Sequence, residues 1–238
     1  MITQIFLGDI PVEVELKDIK NLHLSVYPPN GRVRIAAPAR MDLDTIRVYA
    51  ISKLAWIKEQ QRKFQVQERE TPREFLERES HYVWGTRYLL HLVEAERIPS
   101  IELGHTQMIL TVRPGSDAQK RHAVIEEWYR SELRMGAEPL IAKWEAVMGV
   151  KVGRVFVRRM KTRWGSCKPE NASIRLNTEL AKKPPTCLEY IVVHELAHLI
   201  EPSHNARFVA VMDRFLPHWK QIRDELNRAP LGHVEWEY

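Results

Sequence analysis

Apolar and polar residues alternate along the first forty positions of the chain. The alternation has a period of two at 10–16, 22–27 and 32–36. This pattern predicts β-strands, because successive side chains of a strand point to opposite faces. Residues 28–31, Pro-Pro-Asn-Gly, are typical of a tight turn. We therefore expect the second and third strands to form a hairpin.

A helical period replaces the alternation after Pro38. It predicts a helix over about 43–64, capped by Asp42 or Asp44, because apolar residues recur there every three or four positions. Residues 65–78 are mostly polar or charged, and we interpret them as a connector. The period of two then returns and predicts further strands at 82–93, with a turn at Gly85, at 101–103 and at 108–112.

The second half of the chain is predicted to be more helical. Asp117 can cap a long helix over about 118–148, bent or interrupted near Gly136 to Pro139 because proline breaks the hydrogen-bond ladder of a helix. The remaining patterns predict two strands, at 152–159 and 173–177, which we interpret as a hairpin. They also predict two amphipathic helices, at 206–216 and 218–227. No internal repeat is visible in the sequence.

One further helix is almost wholly apolar. Pro184-Pro185 ends the element before it, Thr186 offers an N-cap, and Glu189 completes a capping box. Glu201-Pro202 ends this helix, since the residue before a proline is driven away from helical dihedral angles. A helix this apolar must be buried, and buried ionisable groups need partners. The ionisable residues that follow the capping box are His194, Glu195 and His198.

These three residues form the sequence His-Glu-Leu-Ala-His, and His204 follows after the end of the helix. Two imidazoles four residues apart stand on one face of a helix, where both can bind one zinc ion. Glu195 faces an adjacent side, where it can act as the general base on a water molecule. His204 can close the site, and three protein ligands with a fourth position left for water are typical of catalytic zinc sites. We predict one Zn²⁺ per chain, bound by His194, His198 and His204.

The composition is that of an ordinary soluble protein. Of 238 residues, 44% are hydrophobic and 28% are charged. The chain has no run of about 20 apolar residues that would span a membrane, and its N-terminus lacks the pattern of a secretory signal. Two cysteines, Cys167 and Cys187, imply no disulfide framework. We therefore expect a cytoplasmic protein with no membrane partner.

A net charge of +5 makes an anionic partner a candidate. The densest basic cluster precedes the histidine helix and consists of Arg154, Arg158, Arg159, Lys161 and Arg163. This cluster has two interpretations, a solvated strand face or an anion-binding rim beside the active site. A weak anionic or nucleic-acid partner is consistent with the second interpretation.

Several motifs surround the histidine helix: Arg163-Trp164-Gly165-Ser166-Cys167, the strand end Leu176-Asn177, the run from Tyr190 to His198, and His204-Asn205 with Phe208. Together they resemble the YgjP-like metallopeptidases, a family also called SprT-like zinc metalloproteases. The resemblance is sharpest over about 155–219. It implies an α+β fold of the minimal zincin type, gluzincin-like, in which a small sheet and the helix ending near Met148 pack around the histidine helix.

The resemblance also implies functional roles. His194, His198 and His204 would bind zinc, Glu195 would be the general base, and residues 163–167 would lie near the cleft. Candidate contacts to the substrate or to the developing oxyanion are Arg163, Trp164, Ser166 and His218. The ten-residue step between the first and third ligands also matches the metzincins, but Glu201 stands where metzincins carry glycine. We therefore reject that assignment.

Three functions are consistent with the sequence. The first is a zinc metallopeptidase that cleaves peptide bonds of a peptide or protein substrate. The second is a metal-dependent nucleoside triphosphate pyrophosphatase that uses the basic cluster, although the chain lacks a Gly-rich phosphate loop. The third is a protease associated with nucleic acid through its basic N-terminal half.

All the predicted catalytic residues lie in the second half of the chain. We therefore predict two regions. Residues 1–115 would form a β-rich N-terminal region with one helix, which shapes access of the substrate. Residues 116–238 would form the zincin-like catalytic domain.

Overall fold

A computed structural model describes residues 2–27, 31–66, 75–160 and 163–228. The predicted turn at 28–30, positions 67–74 of the predicted connector, and Lys161 of the basic cluster lie outside the described residues. The fold is mixed α+β, and the chain forms two compact units, Met1–Arg69 and Glu70–Tyr238.

The first unit contains one sheet and two helices. Its elements are β1 (Ile2–Leu7), β2 (Ile10–Lys17), β3 (His23–Tyr27), β4 (Arg32–Pro38), α1 (Leu43–Ser52) and α2 (Leu54–Val66). The strand order is β1-β2-β4-β3, with β2 parallel to β4 and the two outer pairs antiparallel. The three predicted strands and the antiparallel pairing of β3 with β4 are confirmed. The predicted single helix is wrong in one respect, because it is divided at Lys53 into α1 and α2.

The second unit begins with another four-stranded sheet. Its strands are β5 (Ser80–Val83), β6 (Thr86–Glu94), β7 (Ser100–Leu103) and β8 (Gln107–Val112). Their order is β5-β6-β8-β7, with β6 parallel to β8. The order and directions match those of the first sheet, so the fold contains a topological repeat that the sequence does not display.

A long helix, a small sheet and three further helices complete the second unit. They are α3 (Ala118–Met148), β9 (Arg154–Arg158), β10 (Gly165–Lys168), β11 (Ser173–Asn177), α4 (Pro185–Ile200), α5 (Ala206–Phe215) and α6 (Trp219–Arg228). Asp117 caps α3 as predicted, accepting a hydrogen bond from the Lys120 N–H at 2.8 Å. The interruption predicted near Pro139 is absent, since α3 runs through that residue as one helix. None of the described helices is long and apolar enough to cross a membrane.

The small sheet corrects the predicted hairpin. Its order is β10-β11-β9, and β9 pairs with β11 in parallel rather than antiparallel fashion. The antiparallel partner of β11 is β10, formed by residues that the sequence pattern left as a connection. A parallel pair needs a crossover between its strands, and the residues from 159 to 172, which contain β10, provide it.

The division of the second unit from the first also differs from the predicted boundary at 115/116. The boundary falls instead between Arg69 and Glu70. The reason is that the β5–β8 sheet shares one hydrophobic core with α3 and α4, through residues such as Leu90 and Leu110. The turn after β5 also reaches this core, because the Trp84 N–H donates to the Ala181 carbonyl at 2.8 Å.

Gly136 is the position on α3 where this turn packs. A Cβ atom there would lie 3.0 Å from the Cζ2 and Cη2 atoms of Trp84 and 3.5 Å from a methyl group of Leu188 on α4. The lack of a side chain at Gly136 therefore allows the indole of Trp84 to pack against α3. The glycine does not mark a break in the helix. Sheet, α3 and α4 form one packed assembly around it.

Candidate metal centre

Three histidines meet at the C-terminal half of α4. His194 and His198 stand one helical turn apart, and His204 lies in the loop between α4 and α5. Each offers one ring nitrogen, and these three atoms lie within 4.8 Å of one another. The Nε2 atoms of His194 and His204 are 3.1 Å apart. Two nitrogens that bind one tetrahedral zinc ion at about 2.0–2.1 Å must be about 3.3 Å apart, so the spacing fits a shared divalent metal.

Local hydrogen bonds orient the His198 ring and hold the chain next to His204. The Nδ1 atom of His198 lies 3.3 Å from the backbone carbonyl of Glu201, to which it donates, so that Nε2 faces the other two histidines. Asn205 caps α5 by accepting from the N–H groups of Arg207 and Phe208 at 2.9 and 3.0 Å. This cap fixes the chain directly after His204.

Phe208 forms the apolar platform of the cluster. Its ring centroid lies 5.0 Å from that of His194, 4.7 Å from that of His198 and 4.8 Å from that of His204. The side chain is only 2% exposed. The sequence motif contained this residue, but only the structure shows that one aromatic ring contacts all three imidazoles.

His194 and His198 are held in their neutral form. Burial, with smaller contributions from the neighbouring imidazoles, lowers the pKa of His194 to about 3. Burial also lowers the pKa of His198, against the opposing effect of the Glu201 carbonyl. A neutral imidazole keeps a free lone pair and is the form that binds a metal. These two histidines therefore offer nitrogen ligands at neutral pH without first having to lose protons.

Glu195 lies on the neighbouring face of α4 and is 3% exposed. Burial raises its pKa to about 8, and the charge of Arg163 opposes this rise. Its Oε2 atom is buried and has no hydrogen-bond partner among the described residues. A carboxyl group with a pKa near neutrality can both take up and release a proton at physiological pH.

Gly165 at the start of β10 makes room for this carboxylate. A Cβ atom at position 165 would lie 2.5 Å from Glu195 Oε1 and 2.9 Å from both Glu195 Cγ and a methyl group of Ile191. The sequence motif included this glycine without revealing its purpose. The structure shows that β10 passes so close to α4 that no side chain fits between them.

Asn177 forms hydrogen bonds to backbone groups that precede β10. Its Nδ2 group donates to the carbonyls of Met160 and Arg163 at 2.9 and 2.8 Å, and its Oδ1 atom accepts from the N–H groups of Met160 and Glu179. Its backbone N–H also donates to the Trp164 carbonyl at 2.9 Å. This buried amide thereby fixes the backbone of Arg163, whose charge acts on Glu195.

The predicted substrate contacts are dispersed. Arg163 is exposed and close enough to Glu195 to influence its pKa. Trp164 packs against the core, with the ammonium group of Lys183 5.9 Å from its ring. Ser166 follows Gly165 on β10, so its side chain points to the opposite face of the sheet. A contact of Ser166 with the substrate stays a prediction.

His218 occupies a surface position before α6. The side chain is exposed, and its backbone carbonyl accepts from the N–H groups of Gln221 and Ile222. This carbonyl contributes to the start of α6, while the three clustered histidines lie on α4 and in the loop after it. The position gives no support to His218 as a substrate contact.

The start of α4 differs from its predicted capping box. The helix begins at Pro185 with Pro184 as N-cap, and no side chain caps it. Glu189 instead accepts hydrogen bonds from Trp144 Nε1 at 3.0 Å and Lys143 Nζ at 2.7 Å. Both partners lie on α3, so Glu189 ties the two helices together rather than capping its own.

The family described as "YgjP-like, metallopeptidase domain" matches residues 20–229. No curated protein matches the chain. Two crystal structures of metallopeptidase zymogens are similar to part of it: Pyrococcus abyssi abylysin, with 23% identity and a TM-score of 0.36, and Methanocaldococcus jannaschii jannalysin, with 17% identity and a TM-score of 0.35. Each covers 38% of this chain, and the matched regions are 90% and 86% of the respective zymogens.

Proposed function

The chain belongs to the YgjP-like metallopeptidase family, and on this premise we propose that it is a zinc-dependent peptidase in which Glu195 is the general base. The observation that carries the proposal is the convergence of three imidazoles beside one buried carboxyl group. We further propose that the β9–β11 sheet with α3 and α4 is a minimal, gluzincin-like zincin. Cytoplasmic location stays a prediction.

His194, His198 and His204 would hold the metal. Imidazole nitrogens suit Zn²⁺ better than Mg²⁺ or Ca²⁺, which prefer oxygen ligands. Zinc, when bound, polarises the scissile carbonyl and lowers the pKa of water. The Glu201 carbonyl and Phe208 would keep the His198 and His204 rings in place. One ion per chain is expected.

Glu195 would move the proton. Its carboxylate accepts a proton from the attacking water and returns it to the leaving amine nitrogen. The carboxyl group is suited to both steps because burial raises its pKa to about 8. Arg163, whose charge acts on Glu195, is the candidate that we favour to stabilise the developing oxyanion.

The alternative function is hydrolysis of nucleoside triphosphates. It would need the basic cluster of residues 154–163 to face the metal. Arg154 and Arg158 instead belong to β9, on the far edge of the sheet from β10. Among the described residues of the cluster, Arg163 is the one whose charge affects the pKa of Glu195. One guanidinium group would neutralise only part of the charge of a triphosphate. The peptidase is favoured.

A product analysis decides between these functions. The purified protein is incubated with a peptide library and, separately, with nucleoside triphosphates, each with and without a chelator. Mass spectrometry of the products should show peptide cleavage that stops with chelator and returns with added Zn²⁺. Pyrophosphate release without peptide cleavage would contradict the proposal.

The contact between Gly165 and Glu195 gives a further prediction. Gly165→Ala should lower kcat/KM by about 10²-fold, because a displacement of about 1 Å at a catalytic group costs that much. Gly165 has no left-handed φ angle, so alanine causes no backbone strain. Metal content, measured by elemental analysis, should stay unchanged.

A shorter acid at position 195 is the control. In the Glu195→Asp background the added methyl group has more room, so Gly165→Ala should cost far less activity there than in the wild-type protein. The clash with Ile191 is present in both backgrounds, so the comparison isolates Glu195. An equal loss of activity in both backgrounds would show that Gly165 does not act through the general base.

A further inference from the structure

The small sheet has an outer face that points away from α4. Gly165 on β10 faces Glu195 and Ile191 of α4, so its neighbour Ser166 points outward. Ser166 pairs with Arg175 on β11, which in turn pairs with Phe156 on β9. Paired residues of adjacent strands share a face. The outer face therefore contains two buried residues, Ser173 and Asn177. Its exposed or half-buried residues are Arg154, Phe156, Arg158, Ser166, Lys168 and Arg175.

The charge of this outer face is entirely positive. Arg154, Arg158 and Lys168 are exposed and Arg175 is half-buried. The strands β9, β10 and β11 contain no acidic residue. None of these four basic side chains forms an ion pair with a carboxylate of a residue that the structure describes. The positive charge of the face is thus not neutralised by the described part of the protein itself.

An aromatic ring lies among these charges. Phe156 is half-buried in β9, and the guanidinium groups of Arg158 and Arg175 lie 5.8 and 5.7 Å from its ring centroid. Both guanidinium groups therefore lie over the ring of Phe156, and the three flat groups form one cluster on this surface. Aromatic rings and guanidinium planes are the groups on which nucleobases stack, and Arg and Lys are the groups that bind phosphates.

We propose that the outer face binds single-stranded nucleic acid. Bases would stack on the cluster of Phe156, Arg158 and Arg175. Four cations would contact phosphates, the two stacked guanidinium groups through their N–H edges: Arg154, Arg158, Lys168 and Arg175. A three-stranded face is only about 10 Å wide, which suits a few nucleotides of one strand. Sequence readout of a duplex needs an element that enters a groove, and this flat face offers none. A purely acidic peptide would satisfy the charges but would leave the aromatic ring without a stacking partner.

The proposed surface is separate from the candidate metal centre. Gly165, and with it the inner side of β10, faces α4, whereas Ser166 and Lys168 lie on the opposite side of the same strand. Binding of nucleic acid therefore does not depend on the proposed peptidase function. The binding titration is independent of peptidase activity, so a negative result would leave the proposed metal site and peptidase function untouched.

The test is fluorescence anisotropy of a labelled 12-nucleotide oligothymidylate with the full-length protein, titrated at several salt concentrations. Four phosphate contacts predict a slope of log K against log salt of about −3, since each contact to a single strand contributes about −0.7. Arg158→Gln with Arg175→Gln should reduce this slope by about 1.4 and weaken binding at least tenfold. The matched control, Lys120→Gln with Arg134→Gln, removes the same charge from exposed positions on α3 and should leave both values near wild type.

Stacking is tested separately at position 156. Phe156→Leu keeps an apolar side chain and should weaken binding about tenfold, whereas Phe156→Tyr keeps a stacking ring and should bind like the wild type. Thermal unfolding identifies any variant that fails to fold. If a Phe156 variant does not fold, the variant Arg158→Gln with Arg175→Gln alone tests the proposal. Duplex DNA or polyglutamate that binds as tightly as oligothymidylate, or equal weakening by the α3 control, would overturn the proposal.

Discussion

His194→Ala should release the metal ion and abolish peptide hydrolysis. His194 contacts both other imidazoles, with ring centroid distances of 5.0 Å to His198 and 5.1 Å to His204. Without it, two ligands remain. Loss of a group that only supports a ligand already costs about 10–100-fold in metal affinity, so loss of the ligand itself should cost more.

The measurement is elemental analysis after dialysis, with peptide cleavage assayed in parallel. Wild type should keep about one zinc ion per chain, and His194→Ala and His198→Ala should keep less than a tenth of that. His218→Ala is the matched control, because it removes an exposed imidazole that lies before α6. Full metal retention in either cluster variant, or equal loss in His218→Ala, would contradict the proposed ligand set.

Glu195→Gln should remove hydrolysis and keep the metal. The amide has nearly the shape of the carboxyl group but cannot accept a proton, so general-base catalysis is lost. We expect kcat to fall by about 10²–10⁴-fold, the usual contribution of a general base. Metal content should match the wild type, because the three ligand nitrogens are untouched.

Two controls support the interpretation of Glu195→Gln. Glu170→Gln neutralises an exposed carboxylate in the turn after β10 and should retain wild-type activity. Thermal unfolding with and without chelator should show the same metal-dependent stabilisation in the wild type and in Glu195→Gln. Cleavage by Glu195→Gln at the wild-type rate would rule out this residue as the base.

Tertiary contacts decided where the two units divide. The strands β5–β8 look in sequence like a continuation of the first β-rich region, because both show the same alternation. In the structure Leu90 and Leu110 belong to the core that contains α3 and α4, whereas Val12 and Ile35 belong to a separate core. Period-two alternation shows that one face of a strand is buried, but it carries no information on which element covers that face.

The same limit applies to strand pairing and to caps. The sequence pattern predicts β9 and β11 as a hairpin, yet the antiparallel partner of β11 is β10, a four-residue strand too short to give a pattern of its own. Glu189 satisfied a capping pattern, but its carboxylate accepts from Trp144 and Lys143 of α3. A partner from a distant element displaced the local one, and local sequence cannot reveal this.

The sequence by itself determined the histidine helix and the family resemblance. The spacing of His194 and His198 fixes their common face through the helical period, and the buried character of α4 follows from its apolar composition. Only the tertiary structure brought His204 within 3.1 Å of His194 and seated Phe208 against all three rings. Only it set Gly165 against Glu195 and gathered Phe156 and the basic residues on one face. These contacts join separate elements, and packing between elements depends on the whole core rather than on any local pattern.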